Sequence, residues 1–209
     1  MELDPKFLLR DVAELGSLYD PPLERSVRKQ LDRLDDYCRA FIAASPLMIF
    51  ATQAPGGLAD NSPRGDIPGF VKVADDHTLL IPDRRGNNRL DSLRNILLNP
   101  SVGLLFLVPG ITETFRVNGV AAISRDPQLT SQFEVQGKIP RSVIVVTVKE
   151  AYIHCSRALV RADVWNPAKF AASGTVPTFG TVMAAHTRGF VDAAALDEEN
   201  KTRVPQTLY

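Results

Sequence analysis

The sequence predicts a mainly β fold of the α+β class, a small barrel with helices flanking it at both ends. Three observations carry this. From residue 47 onward six short apolar runs follow one another at close intervals, LMIFAT, GFVKVA, TLLIP, SVGLLFLV, TFRVNGVAAI and SVIVVTVKEAYIH, the texture of successive strands. One strong helical pattern, over 89–98, interrupts them as a lone crossover, which argues against a repeating βαβ series and so against an open doubly wound sheet. The stretch 143–148 is apolar without alternation, as in a strand covered on both faces.

Taken in order, residues 1–45 read as helical. Asp20 before Pro21-Pro22 is a helix-start signal, and Leu31, Leu34, Cys38, Phe41 and Ile42 recur at helical spacing. The spacing predicts one amphipathic helix feeding the core. Residues 46–155 hold the strands; in TFRVNGVAAIS, Phe115, Val117, Ala121 and Ile123 share one face, and Gly119 suggests a bulge. Leu90, Leu93, Ile96 and Leu97 form one stripe of the crossover helix, which Pro100 stops. In residues 156–209, SRALVRADVW and VPTFGTVMAAHT suit short helices, and DAAALDEENKTRVPQTLY reads as an exposed tail. With 209 residues, 44% hydrophobic and 23% charged, a single domain is the expectation.

Twenty-four basic and twenty-four acidic residues cancel, so no general field exists for nucleic acid or a membrane surface. No apolar run is long enough to span a bilayer, and the start, MELDPKFLLRDVAEL, is acidic where a signal peptide is basic. The expectation is a cytoplasmic protein. Cys38 and Cys155 belong to no paired spacing and are expected to be buried free thiols. His77, His154 and His186 stand apart from any metal-ligand pattern, so no metal site is expected. His154, beside a strand end, fits either a hydrogen-bonded core position or an active-site one.

Charge is not evenly spread. Arg84, Arg85, Arg89 and Arg94 fall within eleven positions relieved only by Asp91, in IPDRRGNNRLDSLRNIL, a strand end, a turn and a helix start. Arginine at a helix N-terminus forgoes about 0.3–1 kcal/mol that an acid gains. Two readings fit the turn alone: a solvated loop, or a site where guanidinium forks and backbone N–H groups converge on a phosphate. Upstream, NSPRGDIPGFVKV adds Ser62, Arg64 and Lys72, while Pro63, Gly65, Pro68 and Gly69 predict tight bends. That segment suits either a proline-bracketed hairpin with surface charges or further phosphate ligands.

The order SPRGD, GFVKV, LLIPDRRGNNRLDSLRNILLNPSVGLLFLVPG and ETFRVNG resembles the FMN-binding split-barrel superfamily of pyridoxamine 5'-phosphate oxidase-related proteins, in particular a bacterial subfamily, over roughly residues 40–165. The resemblance implies a six-stranded split barrel that forms a homodimer with FMN at the interface. It places Lys72 by the flavin ring or ribityl chain and Ile81, Pro82 and Asp83 along the ring edge. It puts Arg84, Asn88 and Arg89 by the phosphate, with Ser62 and Arg64 as neighbours. Trp165, after Arg157 and Arg161, fits either core packing or a position near the partner's flavin.

What this implies for function is an FMN-dependent oxidoreductase acting on a small molecule not identified by the sequence. A non-catalytic flavin-storing or redox-sensing protein is the alternative, as is a split barrel for haem or a deazaflavin. No catalytic residue is assigned. Pyridoxamine 5'-phosphate oxidases end in an Arg-x-His-like segment that grips the substrate phosphate. This chain ends in NKTRVPQTLY, so it is expected not to be a true member of that activity class.

Overall fold

Alternating burial is the rule that builds the sheet. In the computed structural model, which describes residues 1–209, β1 (Leu47–Gln53) buries Met48, Phe50 and Thr52, while Leu47, Ile49 and Ala51 on its other face are half-buried. The same period of two runs through β5 (Ser101–Leu107) and β6 (Thr114–Ser124). With β2 (Ala59–Gly65), β3 (Lys72–Asp75), β4 (Thr78–Pro82) and β7 (Val143–His154), they form one antiparallel sheet in the order β2-β1-β5-β6-β7-β4-β3. Phe50, Leu104, Phe106, Val117, Ile144, Val146, Leu79 and Ile81, from five strands, meet in a single apolar cluster. At ~1.5–3 kcal/mol per buried large side chain, this cluster is the main favourable term in the fold.

The expected six-stranded barrel is corrected here to seven strands in an open sheet, with β2 and β3 as its two edges. The extra strand is β2. Its sequence, ADNSPRG, is polar, contains Pro63 and is not among the six apolar runs that mark strands. It pairs in full antiparallel register with β1, from Leu47 opposite Gly65 to Gln53 opposite Ala59. Proline is tolerated because an edge strand has one side free of ladder bonds. The predicted bulge is present: the β6–β7 register shifts between Asn118 and Gly119, and a Cβ at Gly119 would lie 2.4 Å from the Thr147 carbonyl oxygen. The stretch 143–148 is covered on both faces only at its start, where Val143 packs with Leu80 and Phe133; Thr147 is exposed.

The helices depart further from expectation. The N-terminal periodicity is split between short helices: α1 (Val12–Gly16), α2 (Glu24–Arg28) and α3 (Asp36–Ala44). Between α2 and α3 the backbone is drawn into pairing, with Leu31 exchanging hydrogen bonds with Ala151 and the Leu34 N–H donating to Asp76. Asp35 then caps α3, accepting from the Cys38 N–H at 2.9 Å, worth ~1 kcal/mol. Leu34, Cys38 and Ile42 are buried as the spacing required.

In α4 (Asp91–Leu98) the buried residues are Ser92, Asn95 and Ile96, whereas Leu97 and Leu98 are exposed. The predicted leucine stripe therefore gives way to a polar seam. Asn95 donates to Thr52 and Asp60, and Ser92 meets Ser62 at 3.3 Å. These bonds, which would be costly to leave unmade in a buried setting, fix the rotation of the helix against β1 and β2.

Beyond the sheet, α5 (Pro127–Thr130) precedes β7, and α6 (Arg157–Ala162) and α7 (Phe179–His186) match the two helical segments expected. The expected exposed tail is instead helical in α8 (Ala193–Gln206), capped by Asp192, whose side chain accepts from Ala195. Cys38 is buried, but Cys155, just past β7, is exposed, which corrects the expectation of two buried thiols. No helix is long and apolar enough to cross a membrane.

Candidate functional site

The basic turn follows directly from β4. Asp83 still pairs with the neighbouring chain through its N–H to Ser142 at 3.0 Å, after which residues 84–90 leave the sheet and enter α4. Asn88 and Leu90 take left-handed conformations, at φ of 58° and 62°. Asparagine adopts that region readily, a leucine does so only under constraint. The bend is thus enforced where the arginines lie.

The turn forms one wall of a cleft of about 860 Å³. Ser62, Pro63 and Arg64 of β2 face it together with Asp83, and the loop residues Lys138 to Arg141 supply the remaining wall with Tyr209. Of the residues the sequence singles out, Ser62, Arg64, Asp83, Arg84, Asn88 and Arg89 line this cleft. Ile81 is buried in the core and Pro82 pairs with Val143. The β3–β4 pairing stops at Lys72–Leu80, so beyond Leu80 no strand covers that edge of β4.

Neither Ile81 nor Pro82 lines the cleft, and two further candidates lie elsewhere. The Lys72 ammonium donates to the Gln132 carbonyl at 2.6 Å and sits over the Phe133 ring. The Trp165 indole donates to the Ile111 carbonyl at 2.8 Å. His154 stacks beside Tyr152, and burial together with Arg116 and Lys29 pushes its pKa down; it does not line the cleft.

The electrostatics inside the cleft are uneven. Arg64 reaches Asp83 at 3.3 Å through Nη1, but its buried Nε has no partner. Burial pushes the Asp83 carboxyl up, an effect the Arg64 guanidinium and Arg141 offset only in part. Arg84 is held differently: Nε donates to Asp66 at 2.8 Å and Nη1 to the Phe133 carbonyl at 2.6 Å, which leaves Nη2. The Asp66 side chain is only 2% exposed. Burial alone would raise its pKa, but hydrogen bonds from the Tyr209 hydroxyl, the Ile67 amide and Arg84 outweigh that and hold it below the ordinary value. Arg89, largely exposed, pairs with Asp91 at 2.8 Å.

Tyr209, Lys138 and Arg141 are the site residues the sequence did not disclose. Tyr209 contacts Asp66 across 143 positions, a relation no local pattern carries. Lys138 and Arg141 flank Pro140 in a loop without periodicity; two cations within four positions were the only signal available. The lining brings together six cations, Arg64, Arg84, Arg85, Arg89, Lys138 and Arg141, against the acids Asp83 and Asp91, an excess of positive charge that could attract an anion.

No curated protein matches the chain. Among solved structures, HupZ of Group A Streptococcus shares 16% identity at a TM-score of 0.48, over 57% of this chain and 93% of its own. General stress protein 26 of Bacillus anthracis shares 17% at a TM-score of 0.41, over 55% and 88%. HutZ of Vibrio cholerae, described as a haem storage protein, shares 16% at 0.39, over 58% and 94%. The family model described as pyridoxamine 5'-phosphate oxidase matches residues 34–155, from the end of the N-terminal helical region through β7. More than half of the sequence lies within that match, which takes in the whole sheet and the basic turn, and the chain therefore belongs to the pyridoxamine 5'-phosphate oxidase family.

Proposed function

We propose that the chain is a cytoplasmic FMN-binding protein that uses the flavin to oxidise or reduce a small molecule. The observation that carries this reading is the set of incompletely partnered cations in the cleft. Arg64 Nε is buried and unbonded, Arg84 keeps Nη2 free, and Arg85 and Arg141 stand in the lining without an ion pair among the cleft acids. A terminal phosphate supplies what these groups lack, because a guanidinium fork matches two phosphate oxygens. The volume, about 860 Å³, lies within the ~300–1,000 Å³ usual for ligand sites. The residues present therefore fit a phosphate-bearing flavin.

When bound, FMN supplies the electron or hydride chemistry through its ring, and the protein's part is position and electrostatics. Arg84, Arg89 and Asn88 would hold the phosphate, and Ile81, Pro82 and Asp83 would lie along the ring edge, where Pro82 has no N–H to give and the Asp83 N–H is already given to Ser142. The Arg64–Asp83 pair keeps a cation fixed at the base of the cleft. Burial raises the pKa of Asp83, and the Arg64 and Arg141 guanidinium groups pull it back in part. A protein that stores flavin without turnover is separated from this reading by substrate-dependent bleaching of the flavin absorbance, which only the oxidoreductase shows.

The reading includes a homodimer with FMN at the interface. Its support is apolar surface: Leu47, Ile49, Leu105 and Leu107 on the outer face of β1 and β5 are only half-buried, and Phe7, Val12, Leu18 and Tyr19 are exposed. Obligate interfaces of this kind bury ~2,000 Å² or more. Light scattering is expected to give twice the chain mass of 22.9 kDa. A monomer that still holds FMN would contradict this.

The protein is further expected to oxidise pyridoxamine 5'-phosphate poorly or not at all. Residues 192–209 carry α8 and its cap but no Arg-x-His-like segment, and what this end brings to the cleft is Tyr209. Without that grip on the substrate phosphate, both affinity and the placement of the reacting carbon suffer. Pyridoxal phosphate formation near the enzyme median of ~10 per second in an oxygen-consumption assay would overturn the expectation.

A further inference from the structure

The basic cleft is not isolated. A second cleft of about 520 Å³ adjoins it, and the two share one wall made of Arg84, Arg85, Gly86, Asn87 and Tyr209. Tyr209 is the part of that wall that comes from outside the turn. It is tied at three points. Its hydroxyl donates to Asp66 Oδ1 at 2.6 Å, the Arg84 guanidinium lies 5.1 Å from its ring centre, and Lys138 Nζ donates to its carbonyl at 2.9 Å. One residue thus bridges the loop after β2, the turn after β4 and the loop before β7.

The second cleft has a chemistry of its own. Arg84 and Arg85 continue into it, Arg203 of α8 adds a third cation, and the exposed side chains of Ile67, Val204 and Leu208 stand in it. Cations at the shared wall with apolar side chains beyond suit a phosphate followed by a flat base, since apolar side chains of this kind gain by covering an aromatic face. Nothing in a mononucleotide flavin reaches that far past its own phosphate.

On the reading that the first cleft holds FMN, we infer that Tyr209 is a specificity-determining residue that confines the bound flavin to the mononucleotide. It stands where the pyrophosphate of a dinucleotide would have to pass toward the second cleft. FMN binds with the Tyr209–Asp66 bond intact. FAD must displace the ring, and doing so strips a hydrogen-bond donor from a buried carboxylate, the kind of loss that carries a full desolvation penalty.

The test is a fluorescence titration of FMN and FAD against the wild-type protein, Tyr209→Phe and Tyr209→Ala, with thermal unfolding of each variant. Wild type is expected to prefer FMN by about 100-fold. In Tyr209→Ala, the preference for FMN over FAD is expected to fall by about tenfold or more. Tyr209→Phe keeps the ring but loses its anchor and should fall between the two; if the alanine variant does not fold, this one decides. Equal affinity of the wild type for FMN and FAD, or an unchanged preference in folded variants that still bind FMN, overturns the inference and leaves the flavin reading standing. A wild-type protein that binds neither flavin overturns both.

Discussion

Arg84→Ala is expected to destabilise the protein by about 1.5–3 kcal/mol at neutral pH, because it takes a charge-assisted hydrogen bond from the Asp66 carboxylate, which keeps those from Tyr209 and Ile67. The Asp66 side chain is 2% exposed and the Arg84 side chain 18%, and both line the second cleft. The pH dependence has a definite sign. Asp66 is held below its ordinary pKa in the folded protein, against the opposing effect of burial. A carboxyl depressed on folding contributes stability above its unfolded pKa and loses it as pH falls through the folded one.

The gap between parent and variant should therefore be full at about pH 7 and narrow below about pH 4, where an unpaired Asp66 becomes neutral. Denaturant unfolding at both pH values measures it. A gap under about 1 kcal/mol at neutral pH, or one that fails to narrow in acid, would show that the pair does not hold the turn.

Replacing Arg64 and Arg89 together with alanine is expected to weaken FMN binding by about 3–6 kcal/mol, taking ~1.5–3 kcal/mol for each charged hydrogen bond. That is a loss of about 10²–10⁴-fold in affinity. These two are chosen because each holds its acid more weakly than Arg84 holds Asp66, although Asp83 is itself largely buried. Arg89 pairs with Asp91 in the open, and Arg64 meets Asp83 at a long 3.3 Å with Nε unsatisfied. The fold should tolerate the change, and a double variant with unaltered thermal unfolding and unaltered FMN affinity would remove the phosphate from this cleft.

Sequence pattern disclosed those parts of the molecule whose cause is local. Alternation in β1, β5 and β6 reports burial on one face directly, Gly119 marks a bulge because no Cβ fits against Thr147, and Leu34, Cys38 and Ile42 lie on one face because of helical spacing. β2 was concealed because its pairing comes from β1 and not from its own polar composition. The orientation of α4 was concealed for a related reason: hydrogen bonds from Asn95 to Thr52 and Asp60 override the pull of exposed Leu97 and Leu98.

The site divides in the same way. The arginine turn and the Ser62–Arg64 segment are each local clusters that the sequence marks as candidates, and the structure brings them to one cleft. Lys72 and Trp165 are directed to the Gln132 and Ile111 carbonyls, partners 60 and 54 positions away that no pattern predicts. Tyr209 enters only through folding, since its contacts with Asp66, Arg84 and Lys138 join three loops.

The central claim is that the incompletely partnered arginines of the cleft exist to hold the phosphate of FMN, and comparing FMN with riboflavin tests it most directly. Both carry the same ring and ribityl chain, and they differ by the phosphate alone. Fluorescence titration of the purified protein is expected to show FMN binding at micromolar or tighter dissociation constants and riboflavin weaker by about 100-fold or more, with the difference shrinking as salt rises. Equal affinity for the two flavins, or no saturable FMN binding, would contradict the account.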